Sequence, residues 1–240
     1  MNKILYIIVL VLALDNYIYS QDLKVGFTTG IGIYSMSGLK TINKEIAQSL
    51  PFDTQVVSDF PPYFNYQPTV VMKFAEFSFG LVYTFQSTGS RISGKDYSGE
   101  YRFDMKVNSN NPGIYGEINI LSKNKYKFSI YSNAGLVFSN LKMNEYFNLQ
   151  DTVLTDASTK FKALNYYFEP GIKATYSLSP ELSLAVNAGY FVQFGDKGFY
   201  EESNKENRLM DPINQKPVNS DWNGFRLEIS VYYTTHKKAK

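Results

Sequence analysis

Chemistry based on imidazole or thiolate has almost nothing to work with here: 240 residues hold one histidine and no cysteine. The missing thiols exclude disulfides, thiolate zinc sites and a cysteine nucleophile. His236 stands in the closing run His236-Lys237-Lys238-Ala239-Lys240, beyond the last patterned segment, so no Ser–His or Asp–His dyad is expected around it. Carboxylates remain. Glu117, Glu169 and Glu228 fall on the same side of their segments as Lys24, Lys73, Lys127, Lys173 and Arg226. Two neighbouring carboxylates can divide acid and base roles. Three among five cations are instead expected to pair structurally, because unpaired buried charge costs several kcal/mol. Removing Arg226 is then expected to strand an anion, Glu228 or Glu117. Glu201, Glu202, Glu206 and Asp211 lack calcium-loop spacing. The expectation is a non-enzymatic protein with no metal and no cofactor. Lys+Arg 24 against Asp+Glu 22 leaves +2, which lacks the broad basic field of a nucleic-acid binder.

The elements that must hold those side chains alternate with period two. Leu23, Val25, Phe27 and Ile31 face away from Lys24, Gly26, Thr28 and Gly30, and Phe64–Phe74 repeats the pattern on even positions. Phe77–Phe85, Ile114–Ile120, Phe128–Phe138, Phe168–Tyr176, Leu182–Phe194 and Phe225–Tyr233 do likewise, which makes eight strands. The apolar face is nearly free of charge, whereas the other carries the eight charged residues named above. A membrane barrel turns its apolar face to lipid and keeps its polar face in the lumen; a soluble lipocalin-like carrier does the reverse. Phe64, Tyr66, Phe74, Phe77, Phe85, Tyr126, Phe168, Tyr176, Tyr190, Phe194, Phe225 and Tyr233 suit two interfacial girdles. The aromatic content is high, with 20 Tyr and 18 Phe. On this face assignment Ile229→Arg should be harmful, and Ser230→Arg better tolerated if the lumen can pair it.

The connections alternate as well. Short turns at Ala75-Glu76, Ser122–Lys125 and Ser179–Glu181 contrast with long connections at Ser37–Tyr63, Ser87–Pro112, Lys142–Thr159 and Gly195–Asp221. Short periplasmic turns and long outer loops are the asymmetry of a transmembrane barrel. The expected fold is therefore all-β: an eight-stranded antiparallel up-and-down transmembrane β-barrel with four long extracellular loops and a plugged lumen. Residues 1–20, a basic start and an apolar run of about eleven residues, are too short for a spanning helix and read as a signal peptide. Residues 21–235 form the barrel, and 236–240 a short basic tail. Both termini are expected in the periplasm and the barrel in the bacterial outer membrane.

In the first long connection Leu39, Ile42, Ile46 and Leu50 fall on one side of a short helix that Pro51 ends, expected to pack on the barrel rim. The second places Arg91, Lys95, Tyr97, Tyr101 and Arg102 together, a surface suited to a protein or glycan partner, with basic groups near the rim able to meet lipopolysaccharide phosphates. Its segment Tyr101–Val107 alternates and is read as a candidate extension of a strand above the membrane. Outer-membrane lipid is the other expected partner, and no feature specifies an oligomeric state.

With the strand layout, the closing run Asn223-Gly224-Phe225-Arg226-Leu227-Glu228-Ile229-Ser230-Val231-Tyr232-Tyr233 resembles the outer-membrane β-barrel domain proteins of Bacteroidota-type bacteria. The first-connection run Leu50-Pro51-Phe52 with Phe60-Pro61-Pro62-Tyr63, and the second-connection Ser87–Ser93 with Asp96–Tyr101, share that likeness. The resemblance implies the barrel fold and, through the PorT-like members, a secretion-system or transport accessory role as one alternative function; the other is a soluble lipocalin-like carrier of an apolar ligand.

Overall fold

The computed structural model describes residues 22–50, 55–74, 76–97, 99–150, 152–195 and 197–235. The signal segment 1–20, Pro51 and the tail 236–240 lie outside them. The strands are β1 (Asp22–Gly32), β2 (Gln55–Asp59), β3 (Tyr63–Phe74), β4 (Phe77–Lys95), β5 (Gly99–Lys123), β6 (Tyr126–Leu149), β7 (Thr152–Ser177), β8 (Leu182–Phe194), β9 (Tyr200–Glu201) and β10 (Gly224–Thr235). One helix, α1 (Ser37–Ser49), follows β1.

Eight strands close a ring. β1, β3, β4, β5, β6, β7, β8 and β10 each pair antiparallel with the next, and β10 returns to β1 with Phe27 opposite Val231. Closure removes the unpaired edges that an open sheet would expose. Short β2 and β9 are added outside the ring, on β4 and β7. At one end the turns are tight: Phe74 pairs with Phe77 and Lys123 with Tyr126, where Asn124 takes a left-handed φ of 53°. That short-turn end also carries the outer ends of β1 and β10.

The other end is tall, and here the structure departs from the sequence reading. Much of the connections Ser87–Pro112 and Lys142–Thr159 is paired strand. The β4–β5 ladder runs without a break from Phe77↔Ile118 to Lys95↔Glu100, and β6–β7 runs from Tyr126↔Tyr176 to Leu149↔Thr152 with one bulge. The Tyr101–Val107 extension, read from its alternation, is part of β5; the rest was concealed because the polarity of the pattern inverts part-way up while its phase does not. On β5 the inward positions stay odd, but they change from Tyr115 and Glu117 through Ser109 and Asn111 to Val107, Met105, Phe103 and Tyr101. The outward positions change from Ile114, Ile118 and Ile120 to exposed Arg102 and Lys106. The lower ring thus has a membrane barrel's polarity and the upper wall a soluble barrel's, which is where the lipocalin-like pattern survives.

Outside, the girdle aromatics sit at two levels. Phe74, Phe77, Tyr126, Tyr176 and Tyr233 ring the short-turn end, and Phe64, Tyr66, Phe168, Tyr190, Phe194 and Phe225 lie where polarity inverts. Between them Val70, Leu81, Ile130, Ile172, Val186, Leu227 and Ile229 are exposed. Such an apolar belt would be unusual on a water-soluble surface and fits hydrocarbon. Among the described residues no helix is long and apolar enough to cross a membrane.

The tall end is filled. α1 buries Leu39 and Ile42 and packs Ile46 and Leu50 partly against the same apolar cluster. Asn43 adds a bond to Asp59 at 2.9 Å, and Ser37 binds Asp221 through both its N–H (3.1 Å) and its hydroxyl (2.6 Å). Trp222, Tyr34, Met36, Phe191, Phe199 and Val218 complete the plug with the inward residues of the tall wall. The indole N–H of Trp222 donates to Ser139 Oγ at 2.9 Å, and Tyr34 meets the ring edge-on at 4.9 Å.

Candidate functional site

The eight lumenal charges separate into two clusters at different depths. Nearer the short turns, Lys173 Nζ lies 2.9 Å from Glu117 Oε2 and also donates to Tyr115 Oη, while Tyr115 donates to Glu117. Lys24 Nζ is 4.0 Å from the same carboxylate and sits 3.9 Å above the Tyr232 ring. Tyr232 itself lies across β1 at Gly26, where an added Cβ would strike its ring, and Tyr131 lies across Gly171 in the same way. Glycine is needed at both places so that a tyrosine can cross the strand next to it.

Deeper in, Arg226 Nη1 binds Glu169 Oε2 at 2.8 Å, Nη2 donates to Gln86, and the guanidinium stacks 4.0 Å from the Phe191 ring centre. Tyr131 donates to Glu169 Oε1 at 3.4 Å. The partner of Arg226 is therefore Glu169, and not Glu228 or Glu117 as the sequence reading had it. Residues 226 and 228 point into the lumen from one strand but at different heights, and the guanidinium reaches across to β7. Glu228 accepts from Asn65 at 2.9 Å and has no cation within 4 Å among the described residues. Lys73 and Lys127 likewise pair with no carboxylate there; they line the cavity at the short-turn end.

Around these pairs runs a belt of neutral polar side chains that sequence reasoning did not single out. Gln67, Thr84, Gln86, Ser109, Asn111, Asn133, Asn165 and Asn187 are all buried. Ser230 binds Thr28 and Asn187, both at 2.7 Å, and Thr84 binds Gln67 at 2.9 Å. An arginine at position 230 would have to displace both of these bonds in a fully buried place, besides finding an anion to pair with. The signal for the belt was inward parity alone: amides at lumenal positions, where a soluble core would place valine or leucine.

The loop residues also divide. Arg91 grips Asp104 with two bonds, 2.6 Å and 3.2 Å, which hold its guanidinium above its ordinary pKa, and Arg102 approaches the same carboxylate at 3.7 Å. Lys95 pairs with Glu100 at 3.4 Å, and Tyr97 stands fully exposed at the hairpin tip. Tyr101 does not belong to this surface. Its odd position on β5 turns it inward, its hydroxyl donates to Glu145 at 3.3 Å, and burial pushes its pKa up. Beside Arg91 and Asp104 a surface groove of about 490 Å³ runs past Val57, Tyr63 and Lys106.

The closed ring, the outward apolar belt and the polar lumen decide the architecture. The fold is that of an outer-membrane β-barrel. A major outer membrane protein of Thermus thermophilus is similar in structure, with a TM-score of 0.51 at 15% identity, over 89% of this chain and 99% of that one. OprG of Pseudomonas aeruginosa matches with a TM-score of 0.44 at 14% identity (91% and 98% covered). Ail of Yersinia pestis, solved with the heparin analogue sucrose octasulfate, gives 0.40 at 10% (90% and 99%). No protein-family model and no curated protein sequence matches the chain.

Proposed function

We propose that this chain is a non-enzymatic protein of the bacterial outer membrane, its short-turn end in the periplasm and its tall hairpins outside the cell, where they form a rigid docking wall for a protein or glycan partner. One observation carries this reading: above the apolar belt the barrel continues as paired strands, packed solid inside and polar outside. A wall of that kind offers Arg102 held over the Tyr146 ring at 5.7 Å, with Lys106 and Tyr97 exposed along the same hairpin. A rigid surface binds with little ordering cost. The buried acid pairs support structural work rather than acid–base catalysis, since Glu169 and Glu228 are closed off from solvent. A secretion-accessory role, as the resemblance implies, would be one use of such a wall; a deletion phenotype in secretion would mark it.

The test is site-directed photocrosslinking from Tyr97 and Arg102 on intact cells. A discrete crosslinked species, lost when the tip 95–100 is replaced by a short turn, is the expected result. A folded, surface-exposed barrel that crosslinks only to lipid would refute the docking reading. Heat-modifiable migration of the detergent-extracted protein tests the membrane assignment separately.

A further inference from the structure

At its short-turn end the lumen narrows onto a cavity of about 70 Å³ lined by Lys24, Lys73, Lys127, Glu117, Asn119 and Thr175, among others. The cations outnumber what the protein gives them. Glu117 is already held by Lys173 at 2.9 Å and is reached by Lys24 only at 4.0 Å. Among the described residues none of the three ammonium groups lining the cavity donates a hydrogen bond to a protein acceptor. Asp22, already partnered, and Glu76 stand at the rim, Asp22 opposite Lys73 across β1 and β3. Clustering like charges inside a barrel mouth costs energy unless a counter-charge sits among them.

A second observation points the same way. Thr175 is 6% exposed, and among the described residues its hydroxyl, in the lining of this cavity, has no partner. Buried polar atoms are nearly always satisfied. The amide oxygen of Asn119 accepts from Ser129 at 2.9 Å, which leaves its NH2 group as a further donor. The lining thus offers three ammonium groups, several hydroxyls and an amide N–H against one lining carboxylate that is already engaged, with Asp22 and Glu76 only at the rim. A water needs about 10–15 Å³ of such cavity space, so the cavity has room for a small oxyanion.

We propose that this mouth binds a single phosphate group, supplied either as free phosphate or by a phospholipid headgroup. Lysine suits phosphate as a compact point charge with rotatable donors. Charge-assisted bonds of that kind are roughly twice as strong as neutral ones. The site goes beyond the docking reading and does not depend on what the tall hairpins bind.

The full chain, folded in maltoside micelles, is titrated with inorganic phosphate and followed by phosphorus NMR and calorimetry. Saturable one-to-one binding is expected, weakened at least tenfold by Lys73→Met and by Lys127→Met, weakened severalfold by Thr175→Val, and retained in Lys73→Arg. A second arm adds phosphatidic acid to phosphate-free maltoside micelles of the protein, since phosphatidylcholine would itself supply a phosphate group. Displacement of phosphate by the added lipid, or lysine-dependent retention of that lipid alone, assigns the group to a headgroup. Binding that the lipid does not disturb assigns it to the free anion. Heat-modifiable migration confirms that each variant is folded, and Lys73→Gln with Lys127→Gln replaces any methionine variant that is not. Absence of both saturable phosphate binding and lysine-dependent lipid retention overturns the proposal. So does unchanged affinity in the folded double variant.

Discussion

Replacing Arg226 by methionine keeps most of the side-chain volume and removes the charge at the deeper cluster. Both partners of the Arg226–Glu169 pair are almost wholly shielded, at 1% and 0% side-chain exposure. The substitution leaves Glu169 with the Tyr131 hydroxyl at 3.4 Å and no cation, and it also takes a donor from Gln86. Breaking one side of a buried pair costs roughly 3–5 kcal/mol, because the remaining charge is still desolvated. At 1.4 kcal/mol per tenfold, that is roughly two to three and a half powers of ten in the folding equilibrium. Glu169→Gln alone should also destabilise, since the guanidinium is then the orphan. The double variant Arg226→Met/Glu169→Gln should be more stable than the sum of the two predicts, with a coupling of about 1–3 kcal/mol. Urea unfolding in lipid vesicles, followed by Trp222 emission and by heat-modifiable migration, measures all four species. If Arg226→Met falls within about 1 kcal/mol of wild type, or the two effects simply add, the ion pair is not a coupled element of the lumen and the two-cluster account is wrong.

The other expectations can be checked in the same preparations. Ile229 is 61% exposed on the apolar belt, so Ile229→Arg should cost roughly 2–4 kcal/mol near the membrane midplane, whereas Ile229→Leu should be close to neutral; equal stabilities in vesicles would contradict the lipid-facing assignment. Trp222→Ala empties the centre of the plug and should cost about 3–5 kcal/mol, read as a lowered urea midpoint by circular dichroism. Planar bilayers containing the pure protein should show no stable porin-sized steps, because Arg226, Tyr131, Tyr167 and Trp222 fill the radius. The Glu202 carboxyl is held below its ordinary value by a hydrogen bond from Lys162 (2.6 Å) and by that residue's charge. A depressed folded-state pKa means that the contact supports β9 docking above the ordinary carboxylate value and is lost as pH falls through the lowered one. Carbon NMR should accordingly place the Glu202 midpoint below the ordinary glutamate range, and Lys162→Met should raise it toward that range.

Period-two alternation assigned the faces of all eight ring strands from the amino-acid order alone, and with them the lipid-facing belt, both girdles and the lumenal side of the eight charged residues. It could do so because a strand's side-chain period is a property of the backbone and needs no partner. The alternation of short and long connections likewise fixed which end has the tight turns. Alternation also indicated the Tyr101–Val107 extension of β5, but elsewhere, as at Leu141 on β6, where the apolar side changed from outward to inward, the same rule misread strand as loop, because polarity was being used to mark the strand's extent. Tyr101 was misplaced for the same reason. Partner choice inside the lumen was beyond the sequence altogether. Arg226 meets Glu169 57 positions away and Gln86 140 away, while Glu228, two residues along its own strand, meets Asn65. Those pairings depend on the stagger of each strand against the next and on the closure of β10 onto β1, which set the height of every inward side chain only once the ring exists.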